Sequence, residues 1–595
     1  MTIKLSALAV AFAALSVGCA SAASTGPTAT VKIIAINDFH GTLLSPGSFS
    51  GKPAGGADYL AGYVAHLKSQ NPMSIFVGDG DLIGASPLVS AFFHDEGTIE
   101  ALNRMGMEFS VVGNHEFDEG YAELLRMQKG GCHPTDPNSC QGALVGTPVP
   151  FEGAKFKYLA ANITVDATGK TLLPPYGIKS FKDSVTGKTI RVGFIGADLK
   201  DTPTVVTPSG VAGLTFSDEA TSINAQVPKL RALGVEAIVV LLHQGATSAT
   251  SDINGCASTD AALNPVKAIV GRLDDAIDLV ITGHSHLAYD CQMPNRVGRN
   301  VTVTQASATG RVLSDIDLTI DENTGDVISV AATNRIVDRT DATITPNAAI
   351  AGIVNNYNAL VTPLANAVIG SISTDLPNTG DEMPAGDLIA DSQLAATQAP
   401  APGNAQIALM NRGGVRAPGF IYAQSAAVEG DGNVTYGEAF TVQPFGNILE
   451  TLTLTATQLK QVLEQQFNGC QIPGEPLQNT DRILQISGGF KFTWDSTVAA
   501  TTCNRIKQMS LDGTIIYDES MGGFQVPEAT SYQVTVNNFM ASGGDGFSVL
   551  THGTNPIGGG QDIDALVKYL GGFKSPNAPY DPSAASLNKP RIIKK

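Results

Sequence analysis

Short apolar runs recur through the first 340 residues, and each stops at a glycine or a polar turn. Val31-Lys32-Ile33-Ile34-Ala35-Ile36 reads as a strand that runs into Asn37-Asp38-Phe39-His40-Gly41. Residues 57–69 place Leu60, Tyr63, Val64 and Leu67 at i, i+3, i+4 and i+7, which predicts a helix. Residues 74–78 read as a buried strand ending at Asp79, followed by Gly80-Asp81. After a helical stretch over 99–105, the apolar run 109–112 ends in Gly113-Asn114-His115-Glu116-Phe117-Asp118. Further strands are predicted over 190–196, 237–242 and 277–282; the second ends in His243 and the third in Gly283-His284-Ser285-His286. Strands alternating with helices predict an α/β fold, in which ligand sites form at the carboxyl ends of the strands.

The pattern changes beyond residue 340. Residues 342–369 carry Ala349, Ile350, Ile353, Val354, Tyr357 and Val361 on one helical face, which reads as a connector between two domains. Then come a helix over 387–397, a strand over 406–410 and the polar turn Asn411-Arg412-Gly413-Gly414-Val415-Arg416. A strand over 448–454 precedes Thr455, which with Gln458 forms a capping-box signature opening a helix. A late strand over 532–536 leads into a glycine-rich segment that carries Phe539 and Asp545. The division is therefore a first domain over 26–340, a connector over 341–370 and a second domain over 371–595. No internal repeat is evident.

Composition narrows the functional classes. Thirty-seven basic against 55 acidic residues leave a formal charge of -18, which disfavours binding to nucleic acid polymers. Small anionic substrates would need local positive charge from metal ions or a few arginines. Lys4, the apolar run from Leu5 to Val17 and Ala20-Ser21-Ala22 have the layout of a secretory leader, read over 1–22. The run is too short to span a bilayer, and no later segment reads as a membrane helix. Cys19 raises lipid attachment as an alternative, but Ser16 stands where a lipoprotein leader usually has Leu, so cleavage near Ala22 is preferred. The expected location is periplasmic or secreted. Six cysteines remain after the leader, and nearest-neighbour pairing gives Cys132 with Cys140, Cys256 with Cys291 and Cys470 with Cys503.

The strand ends carry the chemistry. Of nine histidines, His40, His115, His243, His284 and His286 sit at these ends; His66, His94, His133 and His552 lie in ordinary helix or loop contexts. Asp38 and His40, two apart, would point to the same side of an extended backbone and share one metal ion. Asp79, alone at its strand end, is the expected bridge between two divalent ions with mixed nitrogen and oxygen ligands. Asp118, three residues beyond His115, would accept from its ring and fix the tautomer.

These motifs, in this order and spacing, resemble the 5'-nucleotidase family of calcineurin-like metallophosphoesterases. The resemblance implies an α/β chain with a four-layer αββα metallophosphoesterase domain, a connector helix and a C-terminal α+β nucleotide-binding domain. It also implies two divalent ions, one held by Asp38, His40, Asp79 and His286, the other by Asp79, Asn114, His243 and His284, with His115 and Asp118 as the catalytic dyad. The choice among Zn, Mn, Co, Mg and Ca is left open by such ligand sets. In the second domain Asn411 and Arg416 match nucleotide-contacting positions, Phe445 and Phe539 match two aromatics that sandwich the base, and Asp545 matches an acid that bonds ribose hydroxyls. Without the resemblance, those two phenylalanines would read as core residues. The family's additional phosphate-binding arginine is absent from Asn378 to Ile389, and Arg412 is the expected substitute. The implied activity is phosphate release from nucleoside 5'-monophosphates, with cleavage of UDP-sugars or other nucleotide anhydrides beside it. The alternatives are a 2',3'-cyclic-nucleotide phosphodiesterase/3'-nucleotidase and an exported nucleotide-binding protein without turnover.

Overall fold

The computed structural model describes residues 26–595 apart from 247–249, 258–262, 424–428, 585–586 and 588. The leader read over 1–22, with Cys19, lies outside the described residues.

Two six-stranded sheets build the first domain. One runs, edge to edge, Val327–Ile336, Val312–Asp321, Thr28–Ile36, Ser74–Asp79, Met107–Val111 and Lys157–Leu159; from Thr28–Ile36 onward its strands are parallel. The other runs Ala288–Pro294, Asn300–Ala306, Leu279–Thr282, Ala237–His243, Thr189–Asp198 and Tyr176–Lys182, parallel except at its two edges. Strands covered on both faces read as continuous apolar runs, and all seven residues of Ala237–His243 are buried. Ile33, Val77, Val111, Phe194, Val239 and Ile281 fill the space between the sheets. Helices close the outer faces: Leu60 and Val64 of Ala57–Gln70 pack with Ile34 and Phe76 on one side, and Leu230 and Val266 pack with Val240 on the other. This is the four-layer αββα arrangement.

The connector helix is Ala348–Ala365, shorter at both ends than its apolar pattern. Asn347 caps it by accepting from the main-chain N–H groups of Ala349 and Ile350. Its buried face, Ile350, Ile353, Val354, Tyr357 and Val361, belongs to the core of the first domain. The second domain pairs a five-stranded mixed sheet, ordered Gln485–Ile486, Ile407–Met410, Ser531–Asn537, Ile448–Thr455 and Thr554–Gln561, with a second one built on Phe490–Trp494. Thr455 and Gln458 form the expected capping box of the helix Ala456–Glu464. The last strand, Ile592–Lys594, is anchored by the fully buried Arg591, which donates to both carboxylate oxygens of Asp391 at 2.9 and 2.8 Å.

Among the described residues three disulfides join nearest neighbours, Cys132 to Cys140, Cys256 to Cys291 and Cys470 to Cys503. Among the described residues no helix is long and apolar enough to cross a membrane.

Candidate active site

The carboxyl ends of five parallel strands from both sheets meet at one place. The loops after Thr28–Ile36 and Ser74–Asp79 run side by side, with the N–H groups of Asp38, His40 and Gly41 donating to the carbonyls of Gly80, Asp81 and Leu82 at 2.9–3.0 Å. Strain is concentrated here: Asp38, His40, Asp81, His284 and His286 have φ of 49°, 46°, 48°, 68° and 59°, a region that side-chain-bearing residues avoid. Asp38 and His40 therefore converge through left-handed turns, not through the extended backbone expected from their spacing.

Two donor sets result. In the first, His40 Nε2 lies 3.0 Å from His286 Nε2, and Asp38 Oδ1 lies 3.5 Å from His286 Nε2 and 4.0 Å from His40 Nε2. In the second, His243 Nε2 is 3.1 Å from Asp81 Oδ2, and His284 Nδ1 is 2.9 Å from Asn114 Oδ1. Asp81 Oδ2 also stands 3.9 Å from His40 Nε2, so this carboxylate faces both sets.

The expectation for Asp79 is corrected. Asp79 is the last residue of its strand; it offers its carbonyl to His243 Nδ1 at 2.8 Å, and its buried carboxylate is absent from the converging groups. Gly80, at φ +76°, then turns the chain and delivers Asp81 into the cluster. A Cβ on Gly80 would fall 2.5 Å from His243 Nδ1, and one on Gly113 would fall 2.2 Å from Asp81 Oδ1, so glycines keep the space open.

The donor groups fit divalent ions. His243 Nε2 is buried and lacks a hydrogen-bond partner despite its short approach to Asp81. His40 and His243 use Nδ1 on the carbonyls of Gly84 and Asp79, at 2.9 and 2.8 Å, which leaves the Nε2 lone pairs for a ligand. Burial holds His40 well below the ordinary imidazole range, and burial together with His243 pulls His284 down to about 3; both rings stay neutral, the form that coordinates metal. Glu116 is the brace beneath. Its carboxylate accepts from the N–H groups of Asp81 at 2.9 Å, Leu82 at 2.8 Å and Gly113 at 2.5 Å, tying the loops of two strands together.

His115 stands directly beside the two sets, with a ring nitrogen within 4.8 Å of ligand atoms of His40 and Asp81 and its ring centroid 5.0 Å from that of His40. Its Nδ1 is 2.9 Å from Asp118 Oδ2, its main-chain N–H donates to Asp81 Oδ1 at 2.9 Å, and Asp118 is itself held by the N–H of Ala85 at 3.1 Å. The ring faces a cavity of about 250 Å³ between the domains. The second domain contributes Asn411, Arg416, Phe445, Phe539 and Asp545, and the first contributes the segment Val205 to Thr207. Phe445 and Phe539 are half-buried and line this cavity, Phe539 also packing against the core of the second domain.

Arg412 is the second correction. The tight turn Arg412–Gly414 carries it away from the cavity, and its Nη1 donates to the Gly380 carbonyl at 2.9 Å. The arginine that does line the cavity is Arg482, paired with Asp545. Sequence reasoning missed Arg482, Asn447 and the segment at 205, which lie in irregular stretches, and Asn537, which ends the strand Ser531–Asn537. It passed over Asp81 and Glu116 although both stand inside motifs it had singled out.

Residues 31–288 match the calcineurin-like phosphoesterase family and residues 368–552 match the 5'-nucleotidase C-terminal domain. Cell wall protein Lmo0130 of Listeria monocytogenes is 30% identical over 577 residues, which cover 92% of this chain and 68% of that protein. Endonuclease YhcR of Bacillus subtilis is 31% identical over 562 residues; these are 92% of this chain, which spans only 40% of that protein's length. The crystal structure of a 5'-nucleotidase precursor from Thermus thermophilus shares the fold, with a TM-score of 0.70 at 24% identity over 95% of this chain and 99% of that one.

Proposed function

The chain belongs to the two-domain 5'-nucleotidase family of calcineurin-like phosphoesterases, and from that premise we propose that it is an exported phosphohydrolase releasing phosphate from nucleoside 5'-monophosphates. The observation that carries the reading is the placement of the His115–Asp118 pair, with the two donor sets beside it and a cavity walled by Phe445, Phe539 and Asp545 in front.

Two divalent ions would be held by Asp38, His40 and His286 and by Asn114, His243 and His284, with Asp81 shared between them. Such ions supply Lewis acidity toward a phosphoryl oxygen and acidify a water toward neutral pH. The chain's own groups do the rest. Asp118 fixes the His115 ring through Nδ1 and leaves Nε2 to donate to a phosphoryl oxygen as its charge grows. Arg416, whose guanidinium lies 5.4 Å from the Phe445 ring centroid, is placed to neutralise phosphate on the substrate side. The Phe445 and Phe539 rings would take the base, and Asp545 the ribose hydroxyls. Three disulfides accord with an oxidising compartment and so with export.

The test is phosphate release from AMP by the purified chain before chelation, after it, and after return of single metals. Chelator-sensitive, metal-restored release supports the reading. Release from 2',3'-cyclic AMP or UDP-glucose in its place moves the assignment to another bond, and release from none moves it to binding without turnover.

A further inference from the structure

In the part of the cavity wall supplied by the second domain, Asp545 is held from three sides. Its backbone is in the left-handed region at φ +57°, and its carbonyl accepts from Gln478 Nε2 at 3.0 Å. One carboxylate oxygen accepts from Asn411 Nδ2 at 2.8 Å, and Asn411 is in turn held by Asn537 Nδ2 at 3.1 Å. The other oxygen is paired with Nη1 of Arg482. Asp545 is buried, Arg482 keeps 21% of its side-chain surface, and both line the cavity.

Charge and hydrogen-bond capacity decide what this end accepts. The guanidinium offsets the carboxylate, so no net charge remains to attract a second phosphate, and a phosphate there would sit against Asp545. A carboxylate has about four lone-pair sites, so those left after Asn411 and Arg482 can each take a hydroxyl proton. The Nη2 group of the guanidinium can donate to the same hydroxyl oxygens, while Nε is buried. The matching ligand is a neutral vicinal diol.

We infer that Arg482 is a specificity-determining residue which holds Asp545 in position and donates to the sugar hydroxyls, so that the site reads the 2',3'-diol and selects ribonucleotides over 2'-deoxyribonucleotides. This rests on the nucleotide reading above. A substrate lacking one hydroxyl leaves part of the Asp545–Arg482 pair unmatched in a partly desolvated site, the situation in which sites built for a hydroxyl discriminate best.

The experiment compares kcat/KM for AMP and 2'-deoxy-AMP in the wild-type chain, Arg482→Gln and Arg482→Lys, with titration calorimetry of adenosine and 2'-deoxyadenosine on the same samples. The wild-type chain is expected to prefer AMP by about tenfold or more, the scale of one hydrogen bond to a charged group. In Arg482→Gln the preference collapses through a rise in KM for AMP, and Arg482→Lys, which keeps the charge, restores part of it. An unchanged ratio in Arg482→Gln, or a wild-type chain blind to the 2'-hydroxyl, overturns the inference. If Arg482→Gln does not fold, Arg482→Lys decides by the same ratio. If the wild-type chain hydrolyses neither nucleotide, the nucleotidase reading fails and calorimetry decides this one: adenosine binding weakened by the substitution supports it, and equal binding of both nucleosides to every form overturns it.

Discussion

The ring of Phe445, from the second domain, lies nearly parallel to the imidazole of His115, from the first, with centroids 6.0 Å apart at 13°. The wall expected to hold the base thus begins directly at the expected catalytic histidine. Base stacking on an aromatic ring contributes about 1–3 kcal/mol. Phe445→Ala should lower kcat/KM for AMP by about ten- to a hundredfold, mainly through KM, while p-nitrophenyl phosphate, which has no base to stack, loses far less. Steady-state kinetics on the two substrates check this; equal losses would place Phe445 in the chemistry instead of the base slot.

Asp81 and Asp79 can be separated directly. Asp81→Asn should abolish phosphate release and lower metal content, because its carboxylate faces both donor sets. Asp79→Asn should keep bound metal, because Asp79 reaches the cluster through its carbonyl. Elemental analysis of the two purified variants after metal loading reads the difference, and metal loss confined to Asp79→Asn would return the bridging role to Asp79.

Glu116 does not line the cavity, yet it ties Asp81 to Gly113. Removing a group that orients metal ligands typically costs about ten- to a hundredfold in metal affinity. Glu116→Ala should show that loss in a competition titration against a chelating dye, with activity recovered at high metal concentration.

The sequence made the strand ends legible because these strands are buried on both faces and read as apolar runs stopped by glycine. Three of the four parallel strands of the second sheet were found for that reason, as were the five histidines of the site, while the helix after Thr455 was legible from its capping box. Other strands were less legible. Ala288–Pro294 is only partly buried, Asn300–Ala306 is buried but carries threonines and a glutamine in place of an apolar run, and the sheet built on Phe490–Trp494 lacks a clean alternation. Gly78-Asp79-Gly80-Asp81 offers two carboxylates at equivalent sequence signals, and only the φ +76° turn at Gly80 decides which one enters the cluster. Arg482 stands 63 residues before Asp545 in an irregular stretch, and only folding brings them together.

A pH prediction comes from outside the metal cluster. His94 binds Glu119 through Nδ1 at 2.9 Å and Asp136 through Nε2 at 3.0 Å, with His133 stacked on its ring at 4.4 Å and Glu123 nearby. Burial pulls its pKa down, but Glu119 and Asp136 outweigh burial and raise it to about 9. A raised folded-state pKa means that the stabilisation is complete below the unfolded value of about 6.5 and is lost as pH rises through about 9. His94→Gln should therefore lower the melting temperature at pH 6 and leave it nearly unchanged at pH 10. A deficit of equal size at both pH values would assign His94 a packing role alone.

The central claim is that His115 acts on the substrate beside a metal cluster it does not build. The measurement is metal stoichiometry and AMP hydrolysis on one sample of His115→Gln. The account predicts wild-type metal content with phosphate release reduced by about a hundred- to a thousandfold, the order seen when a single preorganised transition-state donor is removed. Loss of metal in step with activity would make His115 a ligand and contradict it.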